Sequence, residues 1–146
     1  MILFLAHVAA TLTMFGVILI VQVVHYPLFD RVGAQTYTAY QASHMARITW
    51  IVLPAMGVEL VTAAWLAWQP LPGVPPWMTW TGLGLVVAIW VSTGLVQAPI
   101  HARLTSGFDP DLHRRLVATN WFRTAAWTAR VALVLWMFAH LLDTTR

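Results

Sequence analysis

Four long apolar stretches dominate the sequence, at residues 2–24, 48–68, 77–96 and about 116–142. As an α-helix rising about 1.5 Å per residue, each is long enough to cross the ~30 Å hydrocarbon core of a bilayer. The apolar runs are continuous rather than alternating, which favours helices over membrane strands. Because 60% of the 146 residues are apolar and only 9% are charged, a soluble domain is excluded. We predict an all-α, four-transmembrane-helix bundle, with residues 1–146 forming a single membrane domain.

The basic residues are eight arginines with no lysine. Four spans place the segments 25–47 and 99–115 on the same side of the membrane, and this side carries Arg31, Arg47, Arg103, Arg114 and Arg115. The other side carries only Arg146. The positive-inside rule therefore predicts a multi-pass protein of the inner (plasma) membrane, with both termini on the non-cytoplasmic side. Because the arginines are scattered, we expect membrane lipid rather than nucleic acid as a partner.

Several classes of site are excluded by what the sequence lacks. There is no cysteine, so disulfides and thiolate metal sites are impossible. No Gly-rich phosphate loop, Gly-x-Ser-x-Gly or His-Glu-x-x-His motif is present, which argues against nucleotide-driven or hydrolytic chemistry. The N-terminus has no basic region before its apolar stretch, so we expect the first span to be retained rather than cleaved.

The segment 69–76 is short, uncharged and rich in proline, which predicts that the second and third helices are antiparallel neighbours. Four tryptophans around it are typical of a membrane-interface belt: Trp65, Trp68, Trp77 and Trp80. Residues 30–47 look helical and are expected to extend the second helix beyond the membrane. Aspartate near a helix start in the segment 107–111 predicts helix capping rather than a calcium site.

The two halves of the chain resemble each other at the helix ends. The corresponding polar positions are Gln22 with Gln97, His25 with His101, His44 with Asn120, and Arg47 with Arg123. This pattern predicts two tandem helix hairpins in the same orientation, an arrangement that tends to place a site at the interface of the repeats. The alternative is that polar helix ends at a membrane surface are simply common.

Histidines at helix ends are the candidate metal ligands. If the repeat holds, His25 and His101 occupy equivalent places, and paired imidazoles from two helices commonly bind haem or another metal. The alternative is that both are hydrated interfacial side chains. His7 and His140 lie at similar depth near the chain ends, where they form a second pair or, in the simpler interpretation, two interfacial histidines.

Glu59 lies near the middle of the second span, where a lone carboxylate is costly and normally has a partner. Arg130 lies at a similar depth in the fourth span, which predicts an ion pair between them. That pair is either a packing feature or part of a charge relay beneath a polar pocket.

Two stripes of polar and aromatic residues at helical spacing predict a basic pocket that faces inward. One stripe contains Asn120, Arg123, Trp127 and Arg130, and the other contains Tyr37, Tyr40, His44 and Arg47. Such a pocket suits a carboxylate, phenolate, quinone oxygen or propionate. We assign catalytic roles to His25, His101 and Arg123. The predicted ligand-binding residues are Gln22, His44, Arg47, Glu59, Gln97, Asn120 and Arg130.

The segment Asn120-Trp-Phe-Arg123-Thr124 resembles the Asn-x-x-Arg-Thr signature of the anthrone-oxygenase-like family of small four-helix membrane proteins. Tyr26-Pro27, the Tyr37-x-x-Tyr40 spacing and the four-span layout are similar too. The resemblance implies oxidation of polycyclic aromatic anthrones by molecular oxygen without a metal, with roles for Asn120 and Arg123. The histidines are not part of that pattern, so a haem or metal role depends on their chemistry alone.

Three functions are compatible with this sequence. The first is a membrane oxidoreductase or oxygenase whose apolar aromatic or quinone-like substrate enters from lipid, with His25 or His101 as general base. The second is a haem-, quinone- or pigment-binding accessory subunit of a larger membrane complex. The third is a small organic-anion transporter. Chains of this size often form homo-oligomers in the bilayer, although no motif here sets the number of copies.

Overall fold

The computed structural model describes residues 1–143, and the predicted topology signal at Arg146 lies outside them. Across the described residues, four helical segments are long and apolar enough to cross a membrane. They are referred to as spans 1 to 4 and comprise Ile2–Arg31, Ala34–Trp68, Pro76–Leu104 and Pro110–Asp143. The predicted fold class, an all-α bundle of four transmembrane helices, is confirmed.

The spans extend further than the apolar stretches at one end of the bundle. This end contains the short turns between spans 1 and 2 and between spans 3 and 4. We name it the arginine-rich end after Arg31, Arg47, Arg103, Arg114 and Arg115. Span 2 is a single α-helix of 35 residues, and at about 1.5 Å per residue it is longer than a bilayer core. It begins directly after Gly33, whose φ of 81° favours glycine. The prediction of a helical lead into span 2 is therefore confirmed from Ala34 onward.

Spans 1 and 3 each contain a π-helical turn close to the arginine-rich end. In span 1, the α-helix Ile2–Ile20 passes through the π-turn Val21–His25 into the 3₁₀-helix Tyr26–Arg31. In span 3, the α-helix Pro76–Ser92 passes through the π-turn Thr93–Gln97 into the α-helix Ala98–Leu104. Each π-turn ends two residues before a proline, and proline disrupts helical hydrogen bonding because it lacks an N–H group and its ring clashes with the preceding turn.

The prolines also correct the alignment of the two halves. When Pro27 is matched with Pro99, the two π-turns coincide and His25 corresponds to Gln97. The predicted equivalences of His25 with His101 and of Gln22 with Gln97 are therefore wrong in register. The local device, a π-turn before a proline, is what the two hairpins share.

The four spans pack as a ring in chain order, with each span against two neighbours. Spans 2 and 3 are adjacent, as the short linker predicts. Buried apolar side chains form three clusters along the bundle, centred on Met78 at the linker end, Met56 in the middle and Phe29 at the arginine-rich end. Large apolar side chains such as Trp50, Leu95 and many others face outward, as expected where the solvent is lipid.

Candidate functional site

Glu59 and Arg130 form a fully buried ion pair in the middle of the bundle. Arg130 Nε lies 2.7 Å from Glu59 Oε1, and neither side chain is more than 1% exposed. The prediction made from their equal depth is confirmed.

Every polar atom of this pair has a partner within the protein. Glu59 also accepts hydrogen bonds from Thr11 Oγ1 at 2.9 Å and from Trp127 Nε1 at 3.0 Å. Arg130 donates to the Gly82 carbonyl, to Thr11 Oγ1 at 3.3 Å and to His7 Nε2 at 3.1 Å. The network joins all four spans and leaves no group free for a ligand. Its completeness supports the packing role for Glu59 and Arg130, which we also predicted as ligand-binding residues.

His7 belongs to this network rather than to the membrane interface. Its side chain is buried, and Nδ1 lies 2.7 Å from Thr62 Oγ1. Because Arg130 donates to Nε2, the imidazole is neutral with its proton on Nδ1, directed at Thr62. The prediction of an interfacial His7 is wrong, since the arginine of span 4 needs an acceptor at that depth. His140 packs instead against the ring of Trp136.

A cavity of about 210 Å³ lies between spans 1, 2 and 3, in the half of the bundle nearer the arginine-rich end. Its walls are mainly apolar, with Met14, Ile18, Val52 and Met56 among them, and its polar lining is Tyr26, His44, Thr49, Thr93, Gln97, His101 and Arg123. Leu53 and Ala98, which also line it, are exposed on the outer surface of the bundle. The cavity therefore opens sideways between spans 2 and 3, toward lipid.

Arg123 contributes a buried cation to this cavity. Its side chain is only 6% exposed, it lies beside the Tyr26 hydroxyl, and its Nε has no hydrogen-bond partner in the described part of the chain. The guanidinium carbon lies 5.3 Å from the ring centroid of Trp127. Within residues 1–143, no carboxylate lies within ion-pair distance of it. A buried charge without a counter-ion costs several kcal/mol, so this is the part of the bundle that an anionic or oxygen-bearing ligand would stabilise.

Tyr26, His101 and Gln41 form a chain of hydrogen bonds that ends at the cavity. Tyr26 Oη lies 2.8 Å from His101 Nε2, and His101 Nδ1 lies 2.9 Å from Gln41 Nε2. Because the Gln41 amide donates to Nδ1, His101 carries its proton on Nε2 and donates it to Tyr26. The Tyr26 hydroxyl hydrogen is then free to point at a ligand beside Arg123.

The structure pairs His25 with His44 rather than with His101. His25 Nε2 lies 2.9 Å from His44 Nδ1, and the His44 and His101 ring centroids are 5.9 Å apart. His44 therefore contacts both of the histidines predicted as metal ligands, while His101 has both ring nitrogens engaged. The described residues contain no group of three or more histidine or acidic side chains placed to hold a metal.

The predicted amide residues tie the spans together. Gln22 Oε1 accepts a hydrogen bond from Asn120 Nδ2 at 2.7 Å, and Gln97 donates to Thr119 Oγ1 at 3.4 Å. All three amide side chains are buried, but only Gln97 lines the cavity. Gln22 and Asn120 thus join spans 1 and 4 at the arginine-rich end.

Arg47 lies outside the cavity, on the surface of the bundle. Its Nε donates to Ser43 Oγ at 3.2 Å. With His25, Tyr40, Ser43 and His44 it lines a shallow groove of about 420 Å³ on the outer face of spans 1 and 2. Arg47 and Arg123 are thus not brought to one pocket.

Sequence reasoning did not assign three residues in or beside the cavity to the site, and it missed a cluster of aromatic rings around Phe29. Tyr26, Gln41 and Trp90 carry polar atoms in or beside the cavity, and the buried Trp90 Nε1 has no hydrogen-bond partner among the residues that the structure describes. Gln41 falls on the same stripe as Tyr37 and His44, which is a signal that the sequence does contain. Phe29 packs against six aromatic or histidine rings at the arginine-rich end, and they belong to His25, Tyr26, Tyr37, Tyr40, His44 and His113.

Comparison of the chain with protein-family models, with curated proteins and with solved structures returned no match. The site is therefore interpreted from its own geometry.

Proposed function

We propose that this protein is a membrane oxidoreductase that binds an apolar aromatic phenol or quinone-like molecule with a ring oxygen at Arg123. The observation that carries the proposal is the buried guanidinium of Arg123, which has no carboxylate partner among residues 1–143 and faces a cavity open toward lipid. An aromatic molecule with a charged or polarised oxygen satisfies both the cation and the apolar walls. Entry through the side opening lets such a molecule arrive from the bilayer.

The size of the cavity limits the ligand. An apolar cavity of about 150 Å³ holds a benzene molecule, so a cavity of about 210 Å³ accommodates one ring with its oxygen substituents. The remainder of a larger molecule extends between spans 2 and 3 into lipid. Arg123 then contacts the oxygen at the inner end of the cavity, together with the Tyr26 hydroxyl that His101 orients.

The proposed chemistry follows from this placement. Loss of a proton from a phenol or enol leaves negative charge on its oxygen, which Arg123 and Tyr26 stabilise by hydrogen bonds. The electron-rich ring carbon of the anion then reacts with molecular oxygen. In an anthrone-like substrate the ring methylene becomes a carbonyl that keeps one atom of O₂, and the other atom leaves as water with the two methylene hydrogens.

The resemblance to the anthrone-oxygenase-like family supports the same class of reaction. It points to the segment that begins at Asn120, where Arg123 lines the cavity and Asn120 fixes Gln22 on span 1.

We also propose that the arginine-rich end faces the cytoplasm of a plasma-membrane protein, following the positive-inside rule. The cavity is then in the cytoplasmic half of the bilayer.

Ligand binding tests the proposal directly. The probes are 2-hydroxy-1,4-naphthoquinone, which is an anion at neutral pH, and its neutral 2-methoxy analogue, with tryptophan fluorescence as the readout in detergent. We expect the wild type to prefer the anion by about tenfold or more, since hydrogen bonds to charged groups contribute ~1.5–3 kcal/mol. Arg123→Met removes this preference. Arg115→Met, at an exposed arginine of the same helix, is the matched control and retains it.

Turnover is tested with anthrone, by following oxygen consumption and the appearance of anthraquinone. Loss of one oxyanion-stabilising group costs about 100-fold or more in rate, so Arg123→Met is expected to be nearly inactive while Arg115→Met remains active. Binding of the anion without turnover of any aromatic substrate would instead favour a quinone-binding accessory subunit. Equal binding and equal turnover in Arg123→Met and wild type would overturn the proposal.

A further inference from the structure

We infer that His44 and His25 form the path by which protons move between the buried cavity and the outer groove. The inference rests on the proposed function, because an oxygen that ionises in the cavity must release its proton. His44 lines both spaces: it lies in the wall of the cavity together with Arg123, and in the wall of the groove together with Arg47. It is the ionisable side chain that the two linings have in common.

The hydrogen bond between the two imidazoles supplies the connection. His25 Nε2 and His44 Nδ1 are 2.9 Å apart, with ring centroids 4.6 Å apart. Both rings are partly exposed, and His25 lines the groove but not the cavity. An imidazole accepts a proton on one nitrogen and donates one from the other, so a proton taken up by His44 is passed on through His25.

The hydrogen-bonded chain of Tyr26, His101 and Gln41, which also reaches the cavity, has no such connection to the groove among the described residues. His101 is hydrogen-bonded to Tyr26 and to Gln41, and the Gln41 side chain is 0% exposed. A proton accepted by His101 would stay in the interior, because an amide does not pass it on. His101 and Tyr26 therefore position the ligand oxygen, and His44 is the group that takes its proton.

The transfer balances in three steps. The ligand O–H bond breaks, its oxygen keeps the electron pair, and His44 Nε2 accepts the proton. His44 then gives its Nδ1 proton to His25 Nε2, and His25 releases its Nδ1 proton to water in the groove. Both rings end neutral in the opposite tautomer, and the first one is restored when each ring rotates about its Cβ–Cγ bond and exchanges its ring proton with groove water.

The residues around His25 and His44 favour release of the proton to water over its retention on either imidazole. The groups that face it are Arg47 and Tyr40 on span 2, Tyr26 on span 1, His101 on span 3 and Arg123 on span 4. None of the described residues lining the cavity or the groove is a carboxylate. A positively charged imidazole there is not held by an opposite charge, so the proton is passed to water.

The test uses ligand-free protein with ¹⁵N-labelled histidine and measures exchange of the His44 ring proton with water by NMR. His25→Phe, which removes the ring that accepts the His44 Nδ1 proton, is expected to slow this exchange by about tenfold or more. Free imidazole, which fits the groove, is expected to restore it. His25→Gln is the second variant, because an amide keeps a hydrogen bond to His44 and cannot relay a proton, so it is expected to be slow as well. His140→Phe, at the opposite end of the bundle, is the control and leaves the exchange unchanged.

The two proposals fail in different ways. Unchanged exchange in both His25→Phe and His25→Gln would overturn the proton path, whether or not any quinone binds. Slow exchange in both variants that imidazole does not restore would also overturn it, because a packing change alone would then explain the effect. Failure of the wild type to bind 2-hydroxy-1,4-naphthoquinone would overturn the proposed function and leave the NMR result to decide the path.

Discussion

The guanidinium of Arg123 lies 5.3 Å from the ring centroid of Trp127, and the same indole donates its Nε1 hydrogen to Glu59 at 3.0 Å. Trp127 thus contacts Arg123 directly and is linked to Arg130 through Glu59. The two buried arginines of span 4 have different surroundings. Arg130 has a carboxylate and three further acceptors, whereas Arg123 has an aromatic face, a neighbouring hydroxyl and an Nε without a partner. The first arrangement holds the bundle together, and the second leaves a place for a ligand.

Replacing Trp127 by phenylalanine separates its two contacts. The ring face beside Arg123 is kept, but the hydrogen bond to Glu59 is lost, and an unsatisfied buried acceptor costs ~1–3 kcal/mol. We expect the free energy of unfolding in detergent to fall by this amount, with naphthoquinone binding largely retained. Trp121→Phe, at an exposed position of the same helix, is the control and is expected to be neutral. Equal stability of the two variants would contradict the role given to the indole N–H.

The ion pair is tested by a double-mutant cycle in Glu59→Gln and Arg130→Met. Glu59→Gln leaves the buried charge of Arg130 without its counter-ion, and Arg130→Met leaves the charge of Glu59 and several polar groups without a partner. Each single change is expected to cost ~3–5 kcal/mol. The double variant removes both charges, so we expect it to be less destabilised than the sum of the singles. Unfolding by heat or by sodium dodecyl sulfate measures all three. Additive losses would show that the pair does not act as a unit.

Arg123→Met is expected to raise stability while it removes ligand binding. Among the described residues the buried Arg123 cation has no carboxylate partner, and its removal from a water-poor interior is expected to add about 1 kcal/mol or more to the free energy of unfolding. The naphthoquinone anion should stabilise the wild type by mass action and leave the variant unchanged. A destabilised Arg123→Met would indicate that Arg123 holds the helices together, as Arg130 does.

The sequence was sufficient to predict the parts of the site that depend on depth alone. Glu59 and Arg130 could be paired because an intramembrane charge needs a partner and the helical rise sets its height. The same reasoning placed Arg123 in an inward-facing stripe. These inferences need only the order of the spans and the spacing of residues within each.

Contacts that depend on helix rotation could not be predicted. Tyr26 and His101 lie 75 residues apart, and each follows a π-turn that rotates the side chains beyond it. The resemblance of the two halves pairs His25 with His101, but the structure places His44 against His25. His7 was misjudged for a different reason, since its partner Arg130 is reached only once spans 1 and 4 are known to be neighbours.

Gly82→Ala tests whether the hydrogen bond from Arg130 to the Gly82 carbonyl requires that residue 82 have no side chain. A methyl group there would lie 3.6 Å from Arg130 Nη1 and from Leu133 Cδ2, which is ordinary contact. Alanine is favoured over glycine within a helix by ~0.5–1 kcal/mol, so we expect equal or slightly higher stability. Gly82→Leu is the contrasting variant, since its longer side chain must displace the guanidinium and weaken the Glu59 network. Comparable unfolding of both variants would contradict this account of Gly82.

Entry from lipid is tested at Ala98, which lines the cavity and is exposed between spans 2 and 3. Ala98→Trp narrows the side opening without touching Arg123, so the association rate of the naphthoquinone should fall by about tenfold or more, as expected when access limits binding. Ala102→Trp, also exposed on span 3 but outside the cavity lining, is the matched control and should bind at the wild-type rate. Stopped-flow fluorescence in lipid nanodiscs distinguishes the two. Unaltered association in Ala98→Trp would mean that ligands reach Arg123 by another route, through the arginine-rich end rather than from the bilayer.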